Sequence, residues 1–592
     1  MPSGHAKVSE VEAMVGAEPL AKHIANEWHR LKQARAPWEA DRLEQRNFVY
    51  ATDTTTTTNS TLEWSNTTTV PKLCAMRDLL HAHYMAALFP GDDFLIWQPD
   101  KPTPKLREIT KSIRAYMTTK FTDSGFKLTV SQLIYDWIDY GNCFGDVEYV
   151  RTADYSGPQL RRIAPLSIVF DLSASSFAQT PKIVRDVYTM GDLVKKALSE
   201  PENTKFLEVI EKAKGTREGY MAMYGEDDVD YHSSLIADGF GSLIDYYRSG
   251  YVEVLQFQGD IYAEGKLMVN RRIYVIDRAY VLVDEEIPSW YGSSTITHNG
   301  WRMRPGNIMS MGPLDNVVGM QYRMDHLQNA KSDIYDLHAF PPLKIKGYVE
   351  DFEYAPMERI YVGDEGDVTP VPPDSSVLNT NLDIDWIEAK MEEMVGAPKQ
   401  LAGEAHSSRQ TAFEVRTLDD NAATLFTDKL LQFETEFIER VANLMLATAR
   451  NNLDTDDIAR STNRELGIQE FLTITPELIN TSGKIKPIAA RHYEERQQRI
   501  QNLNGFMNSS MGQDPGIRQH WSNKKLSRLV EEWLGFKDFE VYGEYAGLEE
   551  SVEAQQYASE LQEQAVQEEE DALDAKELEL DGDTPDVTTP PV

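Results

Sequence analysis

Residues able to do chemistry are common in this chain, but their spacing builds no reaction centre. His81 and His83 form an H-A-H pair in a helical stretch. Side chains two apart on a helix point roughly 200° away from each other, so these two rings cannot share a tetrahedral ion. The chain has no HExxH and no paired CxxC, so no metal is expected. It also has no G-x-x-x-x-G-K-[ST]. Gly396, Lys399 and Gly403 lie near one another, but they miss the spacing that lets a backbone nest cradle β- and γ-phosphates. That argues against an ATP-driven motor and against a nucleotide cofactor. No G-x-S-x-G is present, and Cys143 in DYGNCFGDVEY leads into an apolar strand, which reads as a core cysteine rather than a nucleophile. In a chain this acidic, any pair of carboxylates is weak support for acid–base work. The expectation is a protein without catalytic activity or cofactor.

One polar loop reverses the local charge. VGAPKQLAGEAHSSRQ (395–410) carries Lys399, Gln400, His406, Arg409 and Gln410 in a chain of net charge −36. The bland reading is a solvated connection between helices. The functional reading is a weak contact with phosphates, because phosphate recognition is mainly a charge effect. The chain as a whole argues against tight DNA binding.

The elements around that loop follow from periodicity. Leu20, Ile24, Trp28, Leu31, Trp38 and Leu43 recur at helical spacing over 18–48, with a break expected at Pro37. The Thr-rich stretch 54–69 reads as a loop or edge strand. Helices are expected over 71–89, 104–122 and 127–141. After Gly141 the period becomes two, and FGDVEYV, SIVFDL, KIVRDVYTM, YVEVLQFQGDIY, KLMVNRRIYVID and YVLVDEE read as strands. A helical piece at 191–213 and an acidic loop at 214–232 interrupt them.

From Gly312 a helix is expected to Leu337, with Pro313 in its first turn. Strand-like pieces with DEGD and VPPD turns fill 343–381. A short helix at 383–395 places Ile384, Ile387, Met391 and Met394 on one side. Beyond the polar loop a helix over 411–450 would be roughly 60 Å long. Leu418, Leu425, Phe433 and Phe437 form the core of its apolar face. Residues 465–480 look strand-like, and 487–507 and 517–534 helical. From Glu549 to Val592 there are fifteen acidic residues and one basic, Lys576. Their composition reads as a polar helix followed by a disordered end.

Length allows two to four core-bearing units in 592 residues. Two cysteines, Cys74 and Cys143, offer no disulfide framework and suit a reducing compartment. No stretch approaches eighteen consecutive apolar residues, so no membrane span is expected. The start, MPSGHAKVSEVEAMVG, lacks a basic-then-apolar signal, so export is not expected.

The strings RPGNIMSMGPLDNVVGMQ (304–321), FPPLKIKG (340–347), RQTAFEV (409–415) and KIKPIAARHYEERQQRIQNL (484–503), in this order of elements, resemble the portal (head-to-tail connector) proteins of short-tailed bacteriophages. The resemblance covers most of 140–545. It implies an α+β, mainly helical ring subunit with wing, stem, clip and crown regions. On that reading 1–70 holds an N-terminal helix and Thr-rich loop, and 71–310 is the wing. The first stem helix is 311–338, the clip 339–381, the second stem helix 382–395, and the tunnel loop 396–410. The long wing helix is 411–450, wing and crown fill 451–548, and the acidic C-terminal helix and tail are 549–592.

The resemblance further implies a homo-oligomer of about twelve copies at one capsid vertex of a virion made in the host cytoplasm. Its partners would be the terminase large subunit, adaptor and tail proteins, and the major capsid and scaffolding proteins. Double-stranded DNA would pass through the centre during packaging and ejection. The competing reading is a structural head–tail adaptor or scaffold that binds protein only.

Overall fold

The computed structural model describes residues 17–50, 66, 68–89, 94–100, 106–152, 155–198, 204–222, 250–263, 266–287, 294–347, 360–371, 381–395, 425–453, 456–463 and 468–487. The chain divides into two compact units, Met1–Asn463 with Gly467–Arg491, and Arg464–Leu466 with His492–Val592. Every described residue belongs to the first.

Helix α1 spans Ala17–Val49 and buries Leu20, Ile24, Trp28 and Leu31. The break expected at Pro37 does not occur, and the helix runs through it. An interior proline costs about 3 kcal/mol or more, and the surroundings offset that cost. Arg35, two residues earlier, donates to the Pro165 carbonyl at 2.6 Å and to the Ile168 carbonyl. It also pairs with Glu39 at 3.0 Å and stacks 4.9 Å from the Trp38 ring. Leu43, expected on the apolar side, is 60% exposed. There the inward face is polar: Arg42 pairs with Asp315, and Gln45 is buried.

Helices α2 (Lys72–Leu88), α3 (Leu106–Asp123) and α4 (Phe126–Asp139) follow, with β1 (Leu95–Pro99) between the first two. Leu73, Met76, Leu80 and Tyr84 of α2 are buried on one side. Past Gly141 come β2 (Asn142–Arg151), β3 (Ser156–Ile163), β4 (Ile168–Phe170) and β5 (Lys182–Thr189). Two helices interrupt, α5 (Met190–Leu198) and α6 (Thr204–Ala222). The loop expected from 214 is therefore helical to Ala222. Its Arg217 is buried, pairs with Asp277 at 2.6 Å and donates to the Tyr251 carbonyl at 2.8 Å. Then come β6 (Tyr251–Ala263), β7 (Lys266–Ile276), β8 (Tyr280–Glu286), β9 (Ile296–Gly300), β10 (Arg302–Arg304) and β11 (Asn307–Met311).

The sheets are antiparallel. One has five strands in the order β4-β5-β6-β7-β8, and a smaller one has the order β3-β2-β9. Alternation along β6 covers both faces of the larger sheet. Leu255 and Phe257 pack with α1, while Val252 and Val254 pack with Phe206 and Ile210 of α6. Phe144, Ile163, Phe170, Val184 and Ile296 share a cluster that joins the two sheets.

Helix α7 covers Val318–Ala339, strands β12 (Leu343–Lys346) and β13 (Asp367–Pro370) pair with each other, and α8 is Asn381–Val395. The expected start at Gly312 moves to Val318. Residues 312–317 instead form turns in which the Gly312 N–H donates to Asp315 Oδ2 at 3.0 Å and the Val317 N–H to the Leu314 carbonyl at 3.1 Å. A Cβ on Gly312 would lie 2.9 Å from the Ile138 carbonyl oxygen, so the turn seats the chain directly on the end of α4. Pro313 thus precedes the helix. Termination at Phe340-Pro341-Pro342 is as expected, with Phe340 as the cap.

Helix α9 is described over 425–452, with one wider turn at Glu434–Ile438. After it come β14 (Asp457–Asn463), β15 (Ile468–Ile474), α10 (Pro476–Ile479) and β16 (Gly483–Pro487), the last pairing with β1. Trp137 of α4 lies at the centre of the main core. Its ring is 4.8 Å from Phe433 and 5.2 Å from Tyr84, and Phe433 is 5.2 Å from Phe437. The architecture is mixed α+β, with helical stretches flanking a β-rich block.

Candidate functional site

Helices α7 and α8 with the β12–β13 pair form an arm. Its root is core: Met324 and Leu327 of α7 and Ile387, Met391 and Val395 of α8 are buried in the main cluster. The root is also tied by charge. Lys72, the first residue of α2, reaches Glu392 at 2.6 Å and Glu388 at 3.5 Å on α8. Burial disfavours the Lys72 ammonium, yet the two carboxylates outweigh it and hold its pKa above the usual value.

The far part of the arm is different. Leu382 is 79% exposed, Trp386 61% and Ile345 52%, and Tyr335 and Tyr361 are exposed as well. Met394, expected to point inward, is also exposed. The β12–β13 pair runs from Leu343 opposite Pro370 to Lys346 opposite Asp367, with no third strand among the described residues. A lone two-stranded pair is marginal in water. Leu382 and Trp386, four residues apart on α8, lie on one side of that helix.

Of the residues singled out by sequence, Lys399, Gln400, His406, Arg409, Gln410 and Leu418 lie outside the described residues. Leu425 is half-buried, and Phe433 and Phe437 are fully buried. The two histidines of the H-A-H pair serve different neighbours. His81 stacks on Tyr135 at 3.7 Å and hydrogen-bonds Ser131 Oγ at 2.9 Å, whereas His83 meets Phe426 edge-on. Burial lowers the His81 pKa. Cys143 is buried, and desolvation pushes its thiol well up, which leaves little thiolate. Among the described residues no three His, Cys, Asp or Glu side chains are placed to hold a metal. No described helix is long and apolar enough to cross a membrane.

Sequence reasoning missed the arm's outward face. Periodicity placed Ile384, Ile387 and Met391 on the inward side, and all three pack on the main core, but it gave no sign that Trp386 and Met394 would stand exposed.

No family model matches this chain, and no curated protein matches it. Among solved structures, a chain described as "Neck of empty GTA particle computed with C6 symmetry" is 10% identical. The alignment covers 83% of this chain and 93% of that one, with a TM-score of 0.36. A likeness that loose carries no inference about function.

Proposed function

We propose that this chain is the subunit of a portal-type ring, a DNA conduit at one vertex of a phage capsid, without catalytic activity or cofactor. The observation that carries this reading is the arm: two helices rooted in the core, with a strand pair between them in the chain and apolar side chains left exposed. Copies of the same arm side by side would cover those side chains, and head-to-tail contacts that close by rotation make rings. The charge fits as well, since about twelve copies at −36 each make an anionic body that does not grip phosphates. Following α8, residues 396–410 would face the channel, with Lys399 and Arg409 touching DNA briefly. The ring would dock the terminase large subunit during packaging, then adaptor and tail proteins, within a shell of capsid protein.

The test is the mass of the purified assembly. Native mass spectrometry should give a species many times the 67.2 kDa chain, and negative-stain images should show rings with an axial hole. A monomer at micromolar concentration across a range of salt would sink the reading. Exchanging Lys399 and Arg409 together for Glu should impair DNA packaging or retention and leave ring mass unchanged.

A further inference from the structure

Residue 66 and residues 68–70 run along helix α7, and what they offer it is main chain. The Val70 N–H donates to Asp325 Oδ1 at 3.0 Å, and the Val70 carbonyl accepts from Gln321 Nε2 at 2.6 Å. The Thr68 N–H donates to Asn329 Oδ1 at 2.9 Å. The Asn66 N–H donates to Asp333 Oδ1 at 2.6 Å, and its side-chain amide reaches Asp333 Oδ1 and Asp336 Oδ2, both at 2.8 Å.

The donors step by two residues and the acceptors by four. Two residues of extended chain advance roughly 6.6 Å, and four residues of α-helix about 6 Å. The two spacings agree closely enough for three successive rungs. Thr68 shows why the reading is of backbone: its residue surface is exposed while its N–H is bonded.

The rungs need a hydrogen-bonding partner, either this stretch or water that replaces it. Gln321, Asp325 and Asn329 are each 2% exposed or less, and Asp325 Oδ2 is buried with no hydrogen-bond partner. Burying polar groups is unfavourable unless they are hydrogen-bonded. Immediately after the rungs the chain turns at Pro71 into α2, and Lys72 reaches Glu388 and Glu392 of α8. One short stretch therefore grips both helices of the arm.

We propose that residues 66 and 68–72 form a strap that fixes the pose of the arm on the body, and that α7 recognises it mainly through backbone N–H groups, with the Asn66 amide adding side-chain bonds at one end. The contact is held mainly by hydrogen bonds, with Val70 packed at the edge of the main core, so opening it exchanges most of its bonds for bonds to water. Such exchanges have small net free energies, which makes the strap a releasable lock rather than part of the core. This holds whether or not the chain forms a ring.

The test compares Thr68→Pro with Thr68→Ala in the full chain by hydrogen exchange. Proline keeps an extended backbone at its own position and the one before it but removes the N–H. Thr68→Ala should leave exchange unchanged. Thr68→Pro should speed exchange roughly tenfold or more in peptides covering 66–70 and the 329–337 part of α7, the loss of a middle rung. If the two variants behave alike, whether both tight or both loose, the main-chain reading is wrong. Should Thr68→Pro fail to fold, Asn329→Ala removes the same rung from the helix side. Unchanged exchange in that variant overturns the proposal, and faster exchange over the same peptides supports it.

Discussion

The body core and the arm spend apolar residues in opposite ways. Around Trp137 the aromatic rings of Tyr84, Phe433 and Phe437 meet at ring spacings of 4.8–5.2 Å and are shut off from water. Packed aromatic pairs of this kind add to simple burial. On the arm, Leu382, Trp386 and Ile345 stand mostly in water, beside a strand pair too small to be stable alone. The body also satisfies its buried charges within itself. Arg271 meets Asp284 at 2.7 Å and Arg278 meets Glu253 at 2.6 Å, all four side chains buried. The body exposes large apolar residues too, among them Leu128, Tyr262 and Phe471, so the contrast lies between the shut core around Trp137 and the exposed residues of the arm. The two regions should respond differently to the same kind of truncation.

The largest effect should come from the body. Phe433→Ala empties a fully buried ring site and should lower stability by about 3–5 kcal/mol, read as a fall in the urea midpoint. Ending the chain at Leu580 is the control. The removed DGDTPDVTTPPV holds too few apolar residues for a core, so ordering it gains little against chain entropy, and both stability and assembled mass should be unchanged. A destabilised truncation beside an unaffected Phe433→Ala would reverse the assignment of core and tail.

The arm should show the complementary pattern. Trp386→Ala removes a side chain that is 61% exposed, so the stability of the single chain should move by no more than about 0.5 kcal/mol. On the proposed ring reading its effect belongs to assembly. Buried aromatic anchors at interfaces cost about 2 kcal/mol or more when truncated, which would lower the fraction of large species at a given concentration. Sedimentation at several concentrations separates the two readouts. A variant that assembles normally would show that this face is simply exposed.

Much of this contrast was legible in the sequence, and the rest was hidden for identifiable reasons. One-sided spacing at Leu73, Met76, Leu80 and Tyr84 marked a helix because local periodicity and burial agree there. The β-rich block after Gly141 was legible for the same reason. Strand β1 was missed because its partner β16 lies almost 400 residues away, with Leu95 opposite Pro487, and no local signal encodes such a pairing. Pro37 misled because Arg35 holds the helix from outside its own periodicity, through the Pro165 and Ile168 carbonyls. Gly312-Pro313 looked like a helix start, but packing against Ile138 claims it for a turn. On α8 the spacing of Ile384, Ile387 and Met391 marked the buried side, and the pairing of Lys72 with Glu388 and Glu392 adds a tie that no local pattern shows. The polar loop of Lys399 and Arg409 was legible as a charge reversal, a compositional signal that does not need a fold to be read.

The smallest expected effect tests where the two regions join. Asp325 lies at the arm's root, and burial raises its pKa despite hydrogen bonds from Gln321 and the Val70 N–H, which act to lower it. A carboxyl whose folded pKa is raised favours the folded state when protonated. Its contribution is fully present below the ordinary value of 3.8 and is lost as pH climbs through the raised value. Stability from this group therefore rises as pH falls from neutral. Asp136, pushed up to about 6 mainly by burial, works in the same direction in the body, so only a difference between variants isolates the arm. Asp325→Asn keeps an oxygen for the Val70 N–H and removes the buried charge. It should match or slightly exceed the wild type at pH 7.5, by less than about 1 kcal/mol, and lose that margin at pH 5. Urea midpoints at the two pH values measure it. Parallel pH profiles for wild type and variant would mean that Asp325 keeps its charge without cost, and that the arm's root is wetter than its packing implies.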